Sequence, residues 1–205
     1  MIPLEQCAAL LLCAGLSQRF GPDNKLLAPL GGRPLAAHAA ALCRDLPFAT
    51  RLAVVPPSEP ELSALLLDHG FELLPNPTPE AGKDSSLRIG LARALDLPVR
   101  GMMVLLGDMP HVGPAHLIAL AAAADDERAA ISSADGIISP PTLIPADAAR
   151  LAIDRTDQPV RASLGNPVPV TAPAEMLVDY DIPKQFHVDA GQRGNPGQPN
   201  SSEDL

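Results

Sequence analysis

A chain of 205 residues that is 46% hydrophobic can build one three-layered core and is short for two full domains. Aromatic content of 2%, with no Trp, leaves Leu, Ala, Val and Ile to fill that core and disfavours the stacking platforms of single-stranded nucleic-acid binders. A net charge of −9 and a pI near 4.9 argue against a broad basic footprint for DNA or RNA, although a local cationic pocket for an anionic small molecule stays open.

The N-terminal run Cys7 to Cys13 is short, continuous and apolar, the pattern of a strand covered on both faces. Glu5 precedes it with no Lys or Arg, so it is not a secretion signal, and nothing later approaches the roughly 20 apolar residues that span a bilayer. A cytoplasmic protein with no membrane partner is expected. Pro34 to Leu46 reads as a helix with Pro at its start, Arg51 to Val55 as a second strand and Glu59 to His69 as a second helix. Gly70 suits its C-cap, before a third strand over Phe71 to Leu74. Asn76 to Asp84 is turn-rich and predicts a loop above the sheet, followed by a helix over Ser85 to Leu95. Gly101 to Gly107 is a second strongly buried strand, and Pro114 to Ala124 the next helix. Ala129 to Ser133 and Pro140 to Ile144 are short strands, and Ala146 to Ile153 a further helix. This alternation calls for an α/β fold with a mostly parallel, Rossmann-like sheet in three α/β/α layers and right-handed crossovers. Residues 1–188 are expected to form one domain and the Gly/Pro/Ser-rich residues 189–205 a disordered tail.

Chemistry gathers where predicted strands end. After the first strand, Gly15 and Gly21 bound a segment that can turn backbone N–H groups toward an anion, and Arg19 and Lys25 add a phosphate fork and a mobile point charge. An ordinary strand-to-helix turn with solvated basic residues fits the same spacing. No Gly-Lys-Ser/Thr follows Gly21 and the three close glycines of a dinucleotide fingerprint are not there, so neither common phosphate loop applies. Asp108 follows the other buried strand, where it either caps the turn before Pro110 or ligates Mg²⁺, which needs only one or two carboxylates beside phosphate oxygens. In Val178 to Pro183, Asp179 and Asp181 alternate with apolar residues; as a short strand they would share one face. Cys7, Cys13 and Cys43 lack paired spacing and read as reduced core residues, and the five His show no metal-ligand spacing.

The combination resembles the MobA-like nucleotidyltransferases, the molybdenum cofactor guanylyl- and cytidylyltransferases within the wider nucleotide-diphospho-sugar pyrophosphorylase superfamily. Their opening signature is matched by Leu12, Ala14, Gly15, Ser17, Arg19, Phe20, Gly21 and Lys25-Leu26-Leu27, and continued by Gly32, Pro34 and Leu35. Gly107-Asp108-Met-Pro110 looks like the family's metal-binding turn and Asp181-Ile-Pro183 like its Asp-Thr-Pro, so the resemblance runs from about Leu10 to Phe186. It implies transfer of a nucleotide from a triphosphate to a phosphorylated acceptor. Lys25 and Arg19 would be catalytic, Leu12, Ala14, Gly15, Ser17, Asn76, Gly82 and Ser86 would bind nucleotide, and Asp108 and Asp181 would hold Mg²⁺. The run Glu80 to Gly90, with Gly82, Ser86, Leu87 and Gly90, is similar to the cytidylyl-transferring members and implies CTP as donor and molybdopterin as acceptor. Asn76 alternatively stabilises its own turn, and Ser85 alternatively caps the helix. Departures fall in the acceptor half: Gly136-Ile-Ile-Ser-Pro-Pro141 stands where a Gly-Arg-Arg-Gly-His-Pro-like segment is usual, and Pro159-Val160-Arg161 keeps only the arginine of a Gly-Ala-Arg pattern. GTP, another phosphorylated acceptor, or a non-catalytic nucleotide-binding partner of a molybdoenzyme or its chaperone are the alternative readings.

Overall fold

The computed structural model describes residues 1–15, 20, 24–181 and 185. Arg19, Ser17 and Gly21 and the expected tail 189–205 lie outside these residues. Fifteen labelled elements follow in chain order. They are β1 (Cys7–Leu12), β2 (Pro29–Leu30), β3 (Arg33–Pro34), α1 (Leu35–Asp45), β4 (Thr50–Val55), α2 (Pro60–Asp68), β5 (Glu72–Pro75), α3 (Lys83–Leu95), β6 (Gly101–Leu106), α4 (Pro114–Ala123), β7 (Ala130–Ala134), β8 (Ile137–Pro145), α5 (Ala146–Asp154), α6 (Val160–Ser163) and β9 (Val168–Thr171).

Seven strands make one sheet in the order β5-β4-β1-β6-β8-β7-β9, and β2 and β3 pair separately. β8 runs antiparallel to both of its neighbours, β6 and β7, while the pairings β1–β4, β1–β6, β4–β5 and β7–β9 are parallel. The sheet is therefore mostly parallel, as expected, with one reversed strand inside it. The chain builds outward from β1 through β4 to β5 and then crosses to the other side of β1 to lay down β6. That reversal makes a switch point, and the crevice between the carboxyl ends of β1 and β6 is where an open α/β sheet leaves room for a ligand.

Period-two alternation along the buried strands divides the core. Cys7, Ala9 and Leu11 of β1 and Met103 and Leu105 of β6 face α1, α2 and α4, where Leu35, Leu62, Leu66, Leu117 and Leu120 are buried against them. Ala8 and Leu10, with Met102 and Val104, face α3, α5 and α6, through Leu91, Ala94, Ala149, Ala152 and Val160. Both faces are covered, which is why these strands read as unbroken apolar runs.

On the α3 face the layers approach closely at Gly90. A Cβ placed there would lie 2.3 Å from Leu10 Cδ1 and 2.9 Å from its Cγ, so the fully buried Leu10 side chain would have to shift within the core. At an exposed helix position Gly→Ala gains up to about 1 kcal/mol, but here overpacking of about 1–3 kcal/mol outweighs it. Gly90→Ala is therefore expected to lower the urea midpoint, and Leu10→Ala in the same chain to restore part of the loss. A neutral or stabilising Gly90→Ala would show that the helix does not need this close approach.

Arg88, two residues earlier, straps α3 to the end of α5. Its Nε donates to Asp84 Oδ2 at 2.8 Å, and its guanidinium also donates to the carbonyls of Ala152 at 2.8 Å and Gln158 at 2.6 Å. Asp84 Oδ1 in turn accepts from the N–H of Val160 at 2.8 Å, at the start of α6.

Several expectations shift. α3 begins at Lys83, so Ser85 and Ser86 lie inside its first turn and Gly82 is the capping residue, without a side-chain cap. Residues 178–181 form no strand, so Asp179 and Asp181 do not share a strand face. The two short strands extend to Ala130–Ala134 and Ile137–Pro145, joined by Asp135 and Gly136 at φ of 51° and 78°. Positive φ at both turn residues gives the twist that closes a tight hairpin, and the Asp-Gly pair was the signal for it. α6 and β9 had no counterpart in the sequence reading: each is four residues long and lies between prolines.

On the far side of the sheet, His116 is 6% exposed on α4, and its Nε2 lies 2.8 Å from Ser132 Oγ, which donates to the carbonyl of Pro141 at 2.7 Å. Since the hydroxyl proton is committed to Pro141, Nε2 carries the proton of a neutral ring. Burial lowers the pKa of His116 below its ordinary 6.5. A base whose folded pKa is depressed contributes full stability above its unfolded pKa, and that stability is lost as pH falls below it, by at most about 1.4 kcal/mol per pH unit. Urea unfolding should thus show a decline between pH 7 and 5 that is shallower in His116→Gln. An identical slope in the variant would assign the decline to other groups.

Candidate active site

Register places the two chemical ends side by side. Leu12 pairs with Leu106 as the last residues of β1 and β6, so Cys13 to Gly15 and Gly107-Asp108 emerge together. Gly107 permits this: a Cβ there would meet Cys13 Sγ at 2.8 Å. Lys25 opens a single 3-10 turn, Lys25–Leu27, which Asn24 caps by accepting from the N–H of Leu26 at 2.9 Å. The turn seats Leu26 in the core and sends Lys25 back across the strand ends.

Asp181, distant in sequence, arrives through the backbone. The Tyr180 N–H donates to the carbonyl of Asp108 at 3.0 Å, fastening the next residue beside the β6 turn, and Asp181 N–H donates to Gln185 Oε1 at 2.7 Å. Tyr180 is buried and its hydroxyl lies 2.8 Å from His111 Nε2.

Lys25 Nζ then stands between two carboxylates, 2.7 Å from Asp108 Oδ2 and 2.6 Å from Asp181 Oδ1. Lys25 and Asp108 are 9% and 7% exposed, whereas the Asp181 side chain is 40% exposed. Burial alone would lower the pKa of Lys25, but the charges of Asp108 and Asp181 and their hydrogen bonds outweigh it and hold the ammonium above its ordinary range. With one cation and two anions the cluster carries a net charge of −1. Asp108 Oδ1 is buried and has no hydrogen-bond partner among the described residues. A buried anionic oxygen without a donor is costly unless something else coordinates it.

This cluster floors a cavity of about 450 Å³. One wall is Leu12, Cys13, Ala14 and Gly15; the other is Pro79, Glu80, Gly82, Lys83 and Ser86. Eight of the residues expected at the site thus line one cavity: Leu12, Ala14, Gly15, Lys25, Gly82, Ser86, Asp108 and Asp181. Gly82 holds φ of +90°, a backbone state that any side chain would strain, and it lets the chain turn into α3 at the cavity rim. Asn76 does not line the cavity. It is fully buried, donates to Ser85 Oγ at 3.0 Å and Ser86 Oγ at 2.9 Å, and accepts from the N–H of Thr78 at 2.9 Å. Of the two roles read for it, the contacts described are those of a residue that braces its turn and orients Ser86. The sequence reading also missed Lys83 and Glu80, charged residues of the far wall. Their position directly around Gly82, at a helix start, was the available signal.

All three cysteines are free and buried; burial pushes the thiols of Cys7 and Cys43 up to about 12 and that of Cys13 higher still. They are packing residues rather than nucleophiles. Among the described residues no three His, Cys, Asp or Glu side chains are grouped to hold a metal, and no helix is long and apolar enough to cross a membrane. A carboxylate that follows a buried strand and has an unpartnered buried oxygen, with a second fastened beside it, suits Mg²⁺, which takes one or two protein carboxylates and completes its shell with water and phosphate.

The mostly parallel sheet and the family that the chain matches make the protein a nucleotidyltransferase. The chain belongs to the family described as the MobA-like NTP transferase domain, which it matches over residues 9–166. It is 33% identical over 107 residues to a molybdenum cofactor guanylyltransferase of Pseudomonas fluorescens, a match covering 52% of this chain and 50% of that protein. The chain spans half or less of the length of the curated relatives it matches. Among solved structures, a nucleotidyl transferase from Methanothermobacter superposes with a TM-score of 0.73 at 21% identity, over 93% of this chain and 99% of that one. A 4-diphosphocytidyl-2C-methyl-D-erythritol synthase from Anaerococcus prevotii also gives 0.73, at 11% identity, over 91% and 95%. At these identities the two structures show a shared fold.

Proposed function

We propose that the protein transfers CMP from CTP to the terminal phosphate of molybdopterin or the molybdenum cofactor, releasing pyrophosphate. The observation that carries this reading is the convergence of Lys25, Asp108 and Asp181 on the floor of a cleft walled by the Gly15 loop. An acceptor phosphate oxygen attacks the α-phosphorus, the bond to the β-phosphate oxygen breaks, and pyrophosphate leaves with the bonding pair. A phosphate is already ionised at neutral pH, so positioning and charge stabilisation do the work and no protein nucleophile is needed. Lys25 stabilises the charge that grows on the α-phosphoryl oxygens. Arg19, on the glycine-bounded loop, holds the leaving phosphates. Asp108 and Asp181 hold Mg²⁺, whose charge, when bound, neutralises the triphosphate. Backbone at Ala14 and Gly15 and the hydroxyl of Ser86, oriented by Asn76, face the nucleoside, with Leu12 and Gly82 shaping the walls; Ser17 belongs to the same loop.

For the acceptor, a second cavity of about 520 Å³, lined by His111, Met176 and Tyr180 among others, begins one residue from Asp181 and can take a body larger than a phosphate. A cytoplasmic setting and hand-over to a molybdoenzyme or its chaperone belong to this reading; free buried thiols suit a reducing compartment. The donor is tested by calorimetric titration with the four Mg²⁺-nucleoside triphosphates and by pyrophosphate release with reduced molybdopterin. CTP is expected to bind tightest and to release pyrophosphate. The guanylyltransferase relative favours GTP as the second reading, and a GTP-dependent product would replace CTP in the proposal. Tight nucleotide binding with no pyrophosphate from any acceptor would exclude the transfer itself.

A further inference from the structure

We propose that Lys25 and the divalent metal compete for the same seat, so that the lysine closes the metal site until the metal displaces it toward the triphosphate. This rests on Asp108 and Asp181 being the metal ligands, as set out above. Nζ lies within hydrogen-bond distance of Asp108 Oδ2 and Asp181 Oδ1 together. The space between those two oxygens is the place from which a small dication would bridge them, and the ammonium fills it. A compact ammonium is a serviceable stand-in for a cation, but it brings one charge where the two carboxylates carry two. These three side chains by themselves thus keep a net charge of −1, which opposes an incoming triphosphate. One dication in place of the lysine would neutralise the carboxylates and leave Lys25 as a free positive charge.

Asp108 is built to accept that exchange. Its Oδ2 is tied to Lys25, while its Oδ1 is buried without a donor among the described residues. The ammonium on Oδ2 thus leaves part of the buried carboxylate's demand for a positive partner unmet. Once displaced, Nζ faces a cavity whose other lining charges among the described residues are Glu80 and Lys83, and a phosphate supplies the remaining negative partner. Metal and lysine are thereby ordered: the metal loads first, and the lysine becomes available to substrate as a consequence.

The test uses the full chain without nucleotide, titrated with Mn²⁺ alone and followed by the loss of the free Mn²⁺ electron paramagnetic resonance signal. Lys25→Met is expected to bind Mn²⁺ about tenfold more tightly than the unaltered protein or better, an increase of about 1.4 kcal/mol. Lys25→Gln, which keeps a hydrogen-bond donor but no charge, should fall between them and guards against a Met variant that folds poorly. Asp108→Asn should abolish the binding in every background. Melting supplies a second readout, since Lys25→Met should be destabilised in chelator and recover most of the deficit with Mg²⁺. Equal or weaker Mn²⁺ binding by both lysine variants, with binding still sensitive to Asp108→Asn, overturns the competition and leaves the metal ligands standing. Mn²⁺ binding that ignores Asp108→Asn, or that occurs in none of the proteins, overturns the ligand assignment as well.

Discussion

Replacing Lys25 by Ala is expected to lower turnover at saturating nucleotide by two to three orders of magnitude, from the loss of about 3–4 kcal/mol of transition-state stabilisation of the kind a preorganised oxyanion donor supplies. The expectation follows from burial as much as from charge. At 9% exposure the ammonium acts where water screens it little, and its position is fixed by two short ion pairs. KM for the nucleotide should rise as kcat falls, because a lysine released by the metal meets the triphosphate in the bound complex as well as in the transition state. The variant should also be less stable, by about 1–3 kcal/mol. Asp108 would lose its ion pair in a buried setting, whereas the Asp181 side chain, 40% exposed, can turn to water. Pyrophosphate release under single-turnover conditions separates the two effects, and undiminished turnover would remove Lys25 from the chemistry.

Asp108→Asn is expected to have the second largest effect, a loss of about 10²–10³ in kcat together with a rise in the Mg²⁺ concentration needed for half-maximal rate. The side chain keeps its size and one acceptor, and Lys25 keeps Asp181, so unfolding free energy should fall by only about 1–2 kcal/mol. Asp181→Asn should be milder on both counts, because Asp108 is the more buried carboxylate and carries the unpartnered oxygen. Measured rates ranked Asp181→Asn below Asp108→Asn would contradict the division of labour assigned to the pair.

Part of this architecture was legible before any coordinates. β1 and β6 are apolar runs covered on both faces, and each stops at a residue that reads as chemistry, Gly15 and Asp108. Helix boundaries for α1 and α2 fell within a residue of expectation, because proline at the start and glycine after the end act through local backbone sterics. The Asp-Gly hairpin between β7 and β8 was equally local but went unread because the second strand was expected to begin only at Pro140, whereas β8 starts at Ile137, directly after the turn. Its reversed direction inside a parallel sheet depends on the pairing of β8 with β6 and has no signature within the segment.

Residue types and local backbone preference therefore determined the strands, the glycine loop and the identities of Lys25, Asp108 and Asp181. Tertiary structure decided what those residues are to one another. Asp181 reaches the site by a backbone hydrogen bond from Tyr180 to Asp108, not by the strand its alternating pattern suggested. Asn76, polar and in a turn, is sealed beneath Ser85 and Ser86 instead of facing ligand. Lys25, read as a mobile charge for phosphate, is held by two carboxylates. Each of these outcomes depends on contacts between segments far apart in the chain. Desolvation and charge pairing act on distance in space, which local sequence does not encode.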